Sequence, residues 1–316
     1  MSIIMAPMEG VFDYHFRELL TQIGGFDLCV TEFIRVSNTI FPAKVFKRYC
    51  PELSTGGRTT SGVPVIVQLM GGNPELLADN AAKVASLGAL GIDLNFGCPA
   101  KLVNRRDAGS SLLQYPERIQ EIVAAVRASV PEQIPVTAKI RLGYQDKSLA
   151  IENAHAVQQG GAASIVVHAR TKKEGYRPPA HWDWIARIRK ALTIPVVANG
   201  DIWSLEDYKK CKEVSGCQDV MLGRGAMAYP ELALEISKYN QGEAFTARSW
   251  SEIQDLILHY FQIVEAAFDP RYVHGRIKQW IKHLGRTYPE SHELFLQIRE
   301  ERDVVKIKER VTNFLL

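Results

Sequence analysis

No apolar run in the 316 residues reaches the roughly 18 needed to cross a bilayer, so no membrane is expected as a partner. The opening Met1-Ser2-Ile3-Ile4-Met5-Ala6-Pro7 has neither a basic flank nor a long apolar core, and no secretory signal is read there. Cysteines are few: Cys29, Cys50, Cys98, Cys211 and Cys217 are odd in number and scattered. No pair has C-x-x-C spacing, which argues against a metal site and against a disulfide framework. A reducing, cytoplasmic setting is expected. Charge of one sign is also lacking, with 38 Lys and Arg against 35 Asp and Glu. A net +3 neither announces nor excludes a nucleic acid, because a local patch is what matters. Low-complexity tracts and long linkers are absent.

What is present is a recurring unit: a short β-branched run, a polar or glycine-rich corner, then a helical stretch. The runs read as strands are 3–6, 28–31, 65–69, 91–95, 136–140, 164–168, 195–199 and 219–222. Between them, 74–87 carries Leu76, Leu77, Ala81, Val84 and Ala85 at helical spacing, and 116–130 does the same through Ile119, Ile122, Val123 and Val126. Pro74 and Pro116 suit first helical turns, and Gly88 and Gly160 suit helix ends. Eight strand–helix units in about 240 residues predict an α/β fold, a (β/α)8 TIM barrel. An open doubly wound sheet is the rival, but the first strand leads into Pro7-Met8-Glu9-Gly10 and not into a G-x-G-x-x-G loop. Past residue 240 the β-branched runs stop. Ser249-Trp250-Ser251-Glu252 is a capping box, and Ile253, Leu256, Ile257, Tyr260, Phe261 and Val264 form one helical face. Further helical stretches are 273–284, 291–300 and 302–316. The expected division is a barrel over 1–243 and a small all-helical domain over 244–316.

In such a barrel the site lies at the C-terminal ends of the strands. The residues there are Pro7-Met8-Glu9, Glu32, Gln68, Asn95, Lys139 and Arg141, His168 and Arg170, Asn199-Gly200-Asp201 and Gly223-Arg224-Gly225. Each has a plain alternative, such as a satisfied buried amide for Gln68 or a hydrogen-bonded core histidine for His168. Their convergence at one mouth is what carries weight. The last two corners are turns just before helices, of the kind that hold a phosphate, with Arg224 adding a charged fork. The run from Gly91 to Asn104 ends a strand in Asn95 and turns at once through Gly97-Cys98-Pro99. That turn sets Cys98 on a rigid corner, as a reactive thiol or as a small buried hydrophobe.

Met5-Ala6-Pro7-Met8-Glu9-Gly10, Asn95-Phe96-Gly97-Cys98-Pro99, Lys139-Ile140-Arg141, Val167-His168-Ala169-Arg170-Thr171, Ala198-Asn199-Gly200-Asp201-Ile202 and Leu222-Gly223-Arg224-Gly225 together resemble the tRNA-dihydrouridine synthases, in order over essentially the whole chain. The N-x-G-C-P turn and the V-H-x-R-T segment are the most specific parts. Glu32-Phe33-Ile34-Arg35 and Gly275-Arg276-Ile277-Lys278-Gln279-Trp280 resemble the bacterial C-type subfamily, which acts on uridine 16 of the D-loop. The resemblance implies an FMN-bearing barrel that reduces uracil with electrons from NADPH or NADH. It implies that Pro7, Met8 and Glu9 line the flavin, that Gln68 bonds its ring, and that Lys139 and His168 sit against it. It also implies that Asn199, Gly200, Asp201, Gly223 and Arg224 hold the phosphate and that Cys98 is the proton donor. After Val103 the chain departs from its relatives with Asn104-Arg105-Arg106-Asp107, where two arginines either grip RNA or are simply solvated, the latter being the favoured reading.

The chemistry agrees with that set. Uracil C5=C6 is conjugated to the C4 carbonyl, so a hydride adds at C6 and a proton must reach C5. No side chain donates a hydride, so a cofactor is required. The acid has to be protonated near neutrality, as an unperturbed thiol with a pKa of about 8.5 is. Lys139 would place positive charge beside the reduced ring; a Schiff-base lysine is its alternative. The base lies in folded RNA and must be turned out, with Asn95 placed to bond the uracil edge and Tyr176 to pack near it. Between Pro270 and Tyr288 stand five Lys or Arg and no acid, although 244–316 as a whole holds eleven basic and ten acidic residues. A clustered positive face is what phosphate needs. Arg35, Arg276, Lys278 and Arg299 are the expected RNA contacts, and a monomer is expected. A flavin barrel reducing a small molecule and a tRNA-binding protein without chemistry are the competing readings.

Overall fold

β-branched and aliphatic runs placed every few tens of residues are what a parallel sheet covered by helices requires. The computed structural model describes residues 1–100 and 107–314. The strands are β1 Ile3–Met5, β2 Leu28–Val30, β3 Ile34–Arg35, β4 Val65–Met70, β5 Ile92–Phe96, β6 Val136–Arg141, β7 Ser164–His168, β8 Val196–Asn199 and β9 Val220–Leu222. All pairings among them are parallel, in the order β2-β1-β9-β8-β7-β6-β5-β4-β3, and an added β2–β4 pairing closes the ring. Eight strands thus form the barrel. β3, which the sequence reading lacked, is a two-residue extension alongside the end of β4.

Inside the ring, Ile4, Val30, Ile66, Val166, Val197 and Met221, with Ala6, form one buried apolar cluster. Alternation along each strand then puts the residue two further on at the mouth. The register sets Gln68 beside Asp93, Asp93 beside Thr137, Asn95 beside Lys139, Arg141 beside His168, and His168 beside Asn199. The polar mouth is therefore one layer above a dry plug.

Outside lie α1 Tyr14–Ile23, α2 Ala43–Tyr49, α3 Pro74–Ser86, α4 Pro116–Ser129, α5 Ala150–Gln159, α6 Trp182–Ala191 and α7 Leu205–Ser215. α3 starts as its sequence suggests: the Asn73 side chain caps Leu76 N at 2.8 Å and Pro74 takes the first turn. α4 packs between α3 and α5.

The chain divides into two compact units. The first is Met1–Thr21, Phe26–Ile202 and Glu206–Gly223; the second is Gln22–Gly25, Trp203–Leu205 and Arg224–Leu316. The second unit is helical: α8 Arg224–Ala228, α9 Leu232–Gln241, α10 Trp250–Ala267, α11 Pro270–Leu284, α12 Pro289–Ile298 and α13 Val304–Thr312. It therefore takes in α8 and α9 ahead of residue 244. The capping box at Ser249 forms with both of its reciprocal bonds. Ile257 and Phe261 of α10, Ile277 and Ile281 of α11, Leu294 of α12 and Ile307 of α13 are fully buried, and Tyr260 meets Trp280 edge-on at 5.1 Å. Arg105 and Arg106 lie outside the described residues.

Candidate active site

The Gly97-Cys98 turn is held from three sides. Asn95 Oδ1 accepts from Gly97 N and from Cys98 N, both at 2.9 Å. Arg141 Nε donates to Gly97 O at 2.7 Å. Ser110 donates to Cys98 O through its amide at 3.1 Å and its hydroxyl at 2.8 Å. Cys98 packs against Phe33, Met70 and Ala108 and is the one cysteine of the five that is not buried. Burial pushes its thiol up, with the charge of Glu9 adding to the rise, against the Ala100 backbone N–H and the charges of Arg141 and Arg35. At neutral pH the group is a protonated thiol, the form a proton donor needs and a nucleophile does not.

Behind Asn95 runs a chain of buried amides. Asn95 Nδ2 donates to Gln68 Oε1 at 2.7 Å, Gln68 Nε2 to Asp93 Oδ2 at 2.6 Å, and Thr137 Oγ1 to Asp93 Oδ1 at 2.5 Å. Across the mouth, Lys139 Nζ donates to Asn199 Oδ1 at 2.9 Å, and Asn199 Nδ2 donates to Met221 O at 2.8 Å. Burial and the neighbouring charge of Arg141 push the Lys139 amine down to about 7, with Asp93 pulling the other way.

Arg141 is the hub of a third group. Its Nη1 donates to Gly175 O at 2.9 Å and lies 3.4 Å from His168 Nδ1, and its guanidinium stands 5.1 Å from the Tyr176 ring centre. The Tyr176 ring meets His168 edge-on at 6.0 Å and is half exposed. The segment that carries it is folded around Glu174, which accepts from Thr171 N at 2.6 Å and faces His181 Nε2 at 3.0 Å. Against the upward push of burial, the Thr171 hydrogen bonds and the Lys147 ammonium, 3.2 Å from Glu174 Oε1, hold the Glu174 carboxyl down to about 2.

At the ends of β8 and β9 the walls are glycine. Gly200 has φ +118°, and a Cβ on Gly223 would lie 3.2 Å from Met8 Sδ. Asp201 has φ +53°, and its carboxylate is paired with Arg170, so its backbone is what it can offer an anion. Among the described residues, no group of His, Cys, Asp and Glu could hold a metal ion, and no helix is long and apolar enough to cross a membrane.

A family profile described as "Dihydrouridine synthase (Dus)" matches residues 4–311. The chain belongs to the dihydrouridine synthase family. Members of this family reduce uridine to dihydrouridine. The chain is 51% identical over 307 residues to a tRNA-dihydrouridine(16) synthase of Aquipseudomonas alcaligenes, covering 97% of this chain and 98% of that one. It is 52% identical over 306 residues to the protein of the same name from Cupriavidus necator, covering 97% and 95%. Among solved structures, a 2-naphthoyl-CoA reductase in complex with 2-naphthoyl-CoA aligns with a TM-score of 0.57 at 12% identity, covering 77% of this chain and 50% of that one. That likeness is one of fold alone.

Of the residues that resemble family positions, the barrel unit joins Cys98, Asn95 and Gln68 in one hydrogen-bonded chain, Lys139 and Asn199 in a second, and His168 and Tyr176 around Arg141. Pro7 and Met8 are half-buried and Glu9 is exposed. Arg35, on β3, is half-buried, and its Nη2 is buried with no hydrogen-bond partner among the described residues. Arg224 belongs to the helical unit, where Trp203 lies under its guanidinium at 4.9 Å and under that of Arg286 at 3.9 Å. Lys278 spends hydrogens on Arg299 O at 3.1 Å and Glu301 O at 2.7 Å, capping the end of α12. Arg276 stands over the Phe268 ring at 3.9 Å, and Arg299 is exposed. The sequence reading passed over Asp93, Thr137 and Ser110. Asp93 carried a signal, since it stands two residues before Asn95 on the same face of one strand.

Proposed function

We propose that this enzyme reduces uridine to 5,6-dihydrouridine in the D-loop of tRNA, at position 16, with FMN as its cofactor and NADPH (or NADH) as electron donor. The barrel mouth fits a flavin. Gly200 and Gly223 leave backbone where a side chain would fill the cradle, and the half-buried Lys139 amine, which gives one hydrogen to Asn199, has further hydrogens to offer. Pro7, Met8, Glu9, Gln68, Lys139 and His168 would hold the ring, and Asn199, Gly200, Asp201, Gly223 and Arg224 the phosphate. When bound, reduced FMN supplies the hydride for uracil C6.

The chain's own residues supply the rest. Cys98 gives a proton to C5 and is re-protonated from solvent. Asn95 bonds the edge of the extruded base, and Tyr176 packs beside it. Lys139 offers positive charge where the reduced ring carries negative charge. Arg35, Arg276, Lys278 and Arg299 meet RNA phosphates. A tRNA substrate and a thiol that must stay reduced both suit the cytoplasm.

The observation that carries the reading is the Cys98 turn: a thiol kept protonated by burial, on a backbone fixed at Gly97 N, Gly97 O, Cys98 N and Cys98 O. The test is to incubate purified protein with FMN, NADPH and unmodified tRNA, and to count dihydrouridine by nucleoside mass spectrometry. Dihydrouridine at position 16 is expected. Reduction of free pyrimidines with none in tRNA, or a protein that takes up no FMN, contradicts it.

A further inference from the structure

The oxygen and nitrogen of an amide have nearly the same shape, so their assignment has to come from their neighbours. In the chain Asp93–Gln68–Asn95–Cys98 both ends dictate it. Gly97 N and Cys98 N can only donate, so the atom of Asn95 between them is oxygen. Its nitrogen then faces Gln68, and the atom of Gln68 it meets is oxygen. The Gln68 nitrogen faces Asp93 Oδ2. Asp93 meets this demand in either protonation state. Ionised, it accepts at both oxygens. Protonated at Oδ1, it donates to the Thr137 hydroxyl, which rotates to accept, and Oδ2 still takes the Gln68 hydrogen.

The result is a mouth of one polarity. Among the described residues Gln68 and Asn95 each keep a second N–H hydrogen, and Lys139 in its protonated form keeps two beyond the one given to Asn199. Among the described residues these three side chains have donors to spare, while Asn95 Oδ1 already accepts twice and Gln68 Oε1 once. Rings that carry carbonyl oxygens and bare ring nitrogens match that set.

We propose that Asp93 is a positioning residue that sets this donor polarity and, through Gln68 and Asn95, holds the Cys98 turn in place for an acceptor-rich ring, whether pyrimidine or flavin. The proposal rests on the uridine-reducing function above. Among the described residues the Asp93 side chain reaches no further than Gln68 and Thr137 by hydrogen bonds, and it is 1% exposed, so it acts through its neighbours and not on substrate.

The test compares FMN-loaded wild type with Asp93→Asn and Asp93→Leu in two assays. One is turnover of saturating tRNA. The other is the rate at which iodoacetamide alkylates Cys98 without tRNA, which reads this thiol alone because the other four cysteines are buried. Asn keeps an oxygen for Gln68 and can donate to Thr137, so Asp93→Asn is expected to stay within a few-fold of wild type in both assays. Leu fills the space with no acceptor, so Asp93→Leu is expected to lose about a hundredfold in kcat, the scale of a small misplacement of reacting groups, and to alkylate at a clearly altered rate. If Asp93→Leu does not fold, Asp93→Val, which likewise offers Gln68 no acceptor, takes its place. Wild-type behaviour of Asp93→Leu, or an equal fall in Asp93→Asn, overturns the proposal. Should wild type itself make no dihydrouridine, the functional reading fails, and the alkylation comparison still decides the relay.

Discussion

Arg141 Nε donates to the carbonyl of Gly97 over 2.7 Å, so a strand residue of the barrel holds the backbone of the turn that carries Cys98. The same guanidinium donates to Gly175 O and lies under Tyr176. One buried cation thus fixes the thiol and the aromatic segment relative to each other. A planar fork can do this, and a lysine amine cannot reach all of these partners at once.

Arg141→Lys keeps the charge and loses the fork. It is expected to fold, with a lower melting temperature, and to lose about ten- to a hundredfold in kcat, because misplacing a reacting group by about 1 Å costs that order. Saturating-tRNA kinetics beside a thermal melt check it. An unchanged kcat would show that the turn is held well enough by Asn95 and Ser110.

The Lys139 amine titrates near neutrality. Its folded pKa lies at about 7, below its ordinary value. Between about 7 and the ordinary lysine value of about 10.4 the unfolded chain binds a proton that the folded chain does not, so stability of the flavin-free protein rises with pH over that window. Lys139→Met removes this dependence. Urea unfolding at pH 6.5 and pH 9 is expected to show wild type gaining on the variant as pH rises. Parallel behaviour of the two proteins would mean that its surroundings do not depress the Lys139 amine in the folded chain.

Arg276 and Lys278 separate in the helical unit. Lys278 caps the carbonyls of Arg299 and Glu301, so Lys278→Ala is expected to cost about 1 kcal/mol of that unit's stability through its lost hydrogen bonds. Arg276→Ala is expected to leave the melting temperature almost unchanged, to weaken tRNA binding, and to make its salt slope shallower by about 1. Filter binding from low to high salt checks both. An unchanged slope removes Arg276 from the RNA face.

The barrel was legible because its strands carry their own signal. Each of the eight expected runs overlaps an observed strand, and α3 and α4 begin at the prolines that mark them. β3 was not legible, since two residues are too few to show a period. At the site, Cys98, Asn95, Gln68, Lys139 and Asn199 stood out as polar groups ending apolar runs. Their joining through Asp93, Thr137 and Arg141 depends on which residues face each other across strands, and register is a property of the closed sheet. Ser110 comes from outside the strands, and nothing near it in the chain marks it as the partner of Cys98. The bonds of Lys278 to Arg299 O and Glu301 O were not legible, because carbonyl capping by a distant residue leaves no local pattern.

The most direct test of the account is Cys98→Ala, followed in two half-reactions by stopped flow. The variant is expected to fold, to bind FMN and to have its flavin reduced by NADPH at the wild-type rate, and then to lose most of its reoxidation by tRNA and its dihydrouridine product. Wild-type turnover of tRNA by Cys98→Ala would contradict the account and return the Gly97-Cys98-Pro99 corner to a purely structural turn.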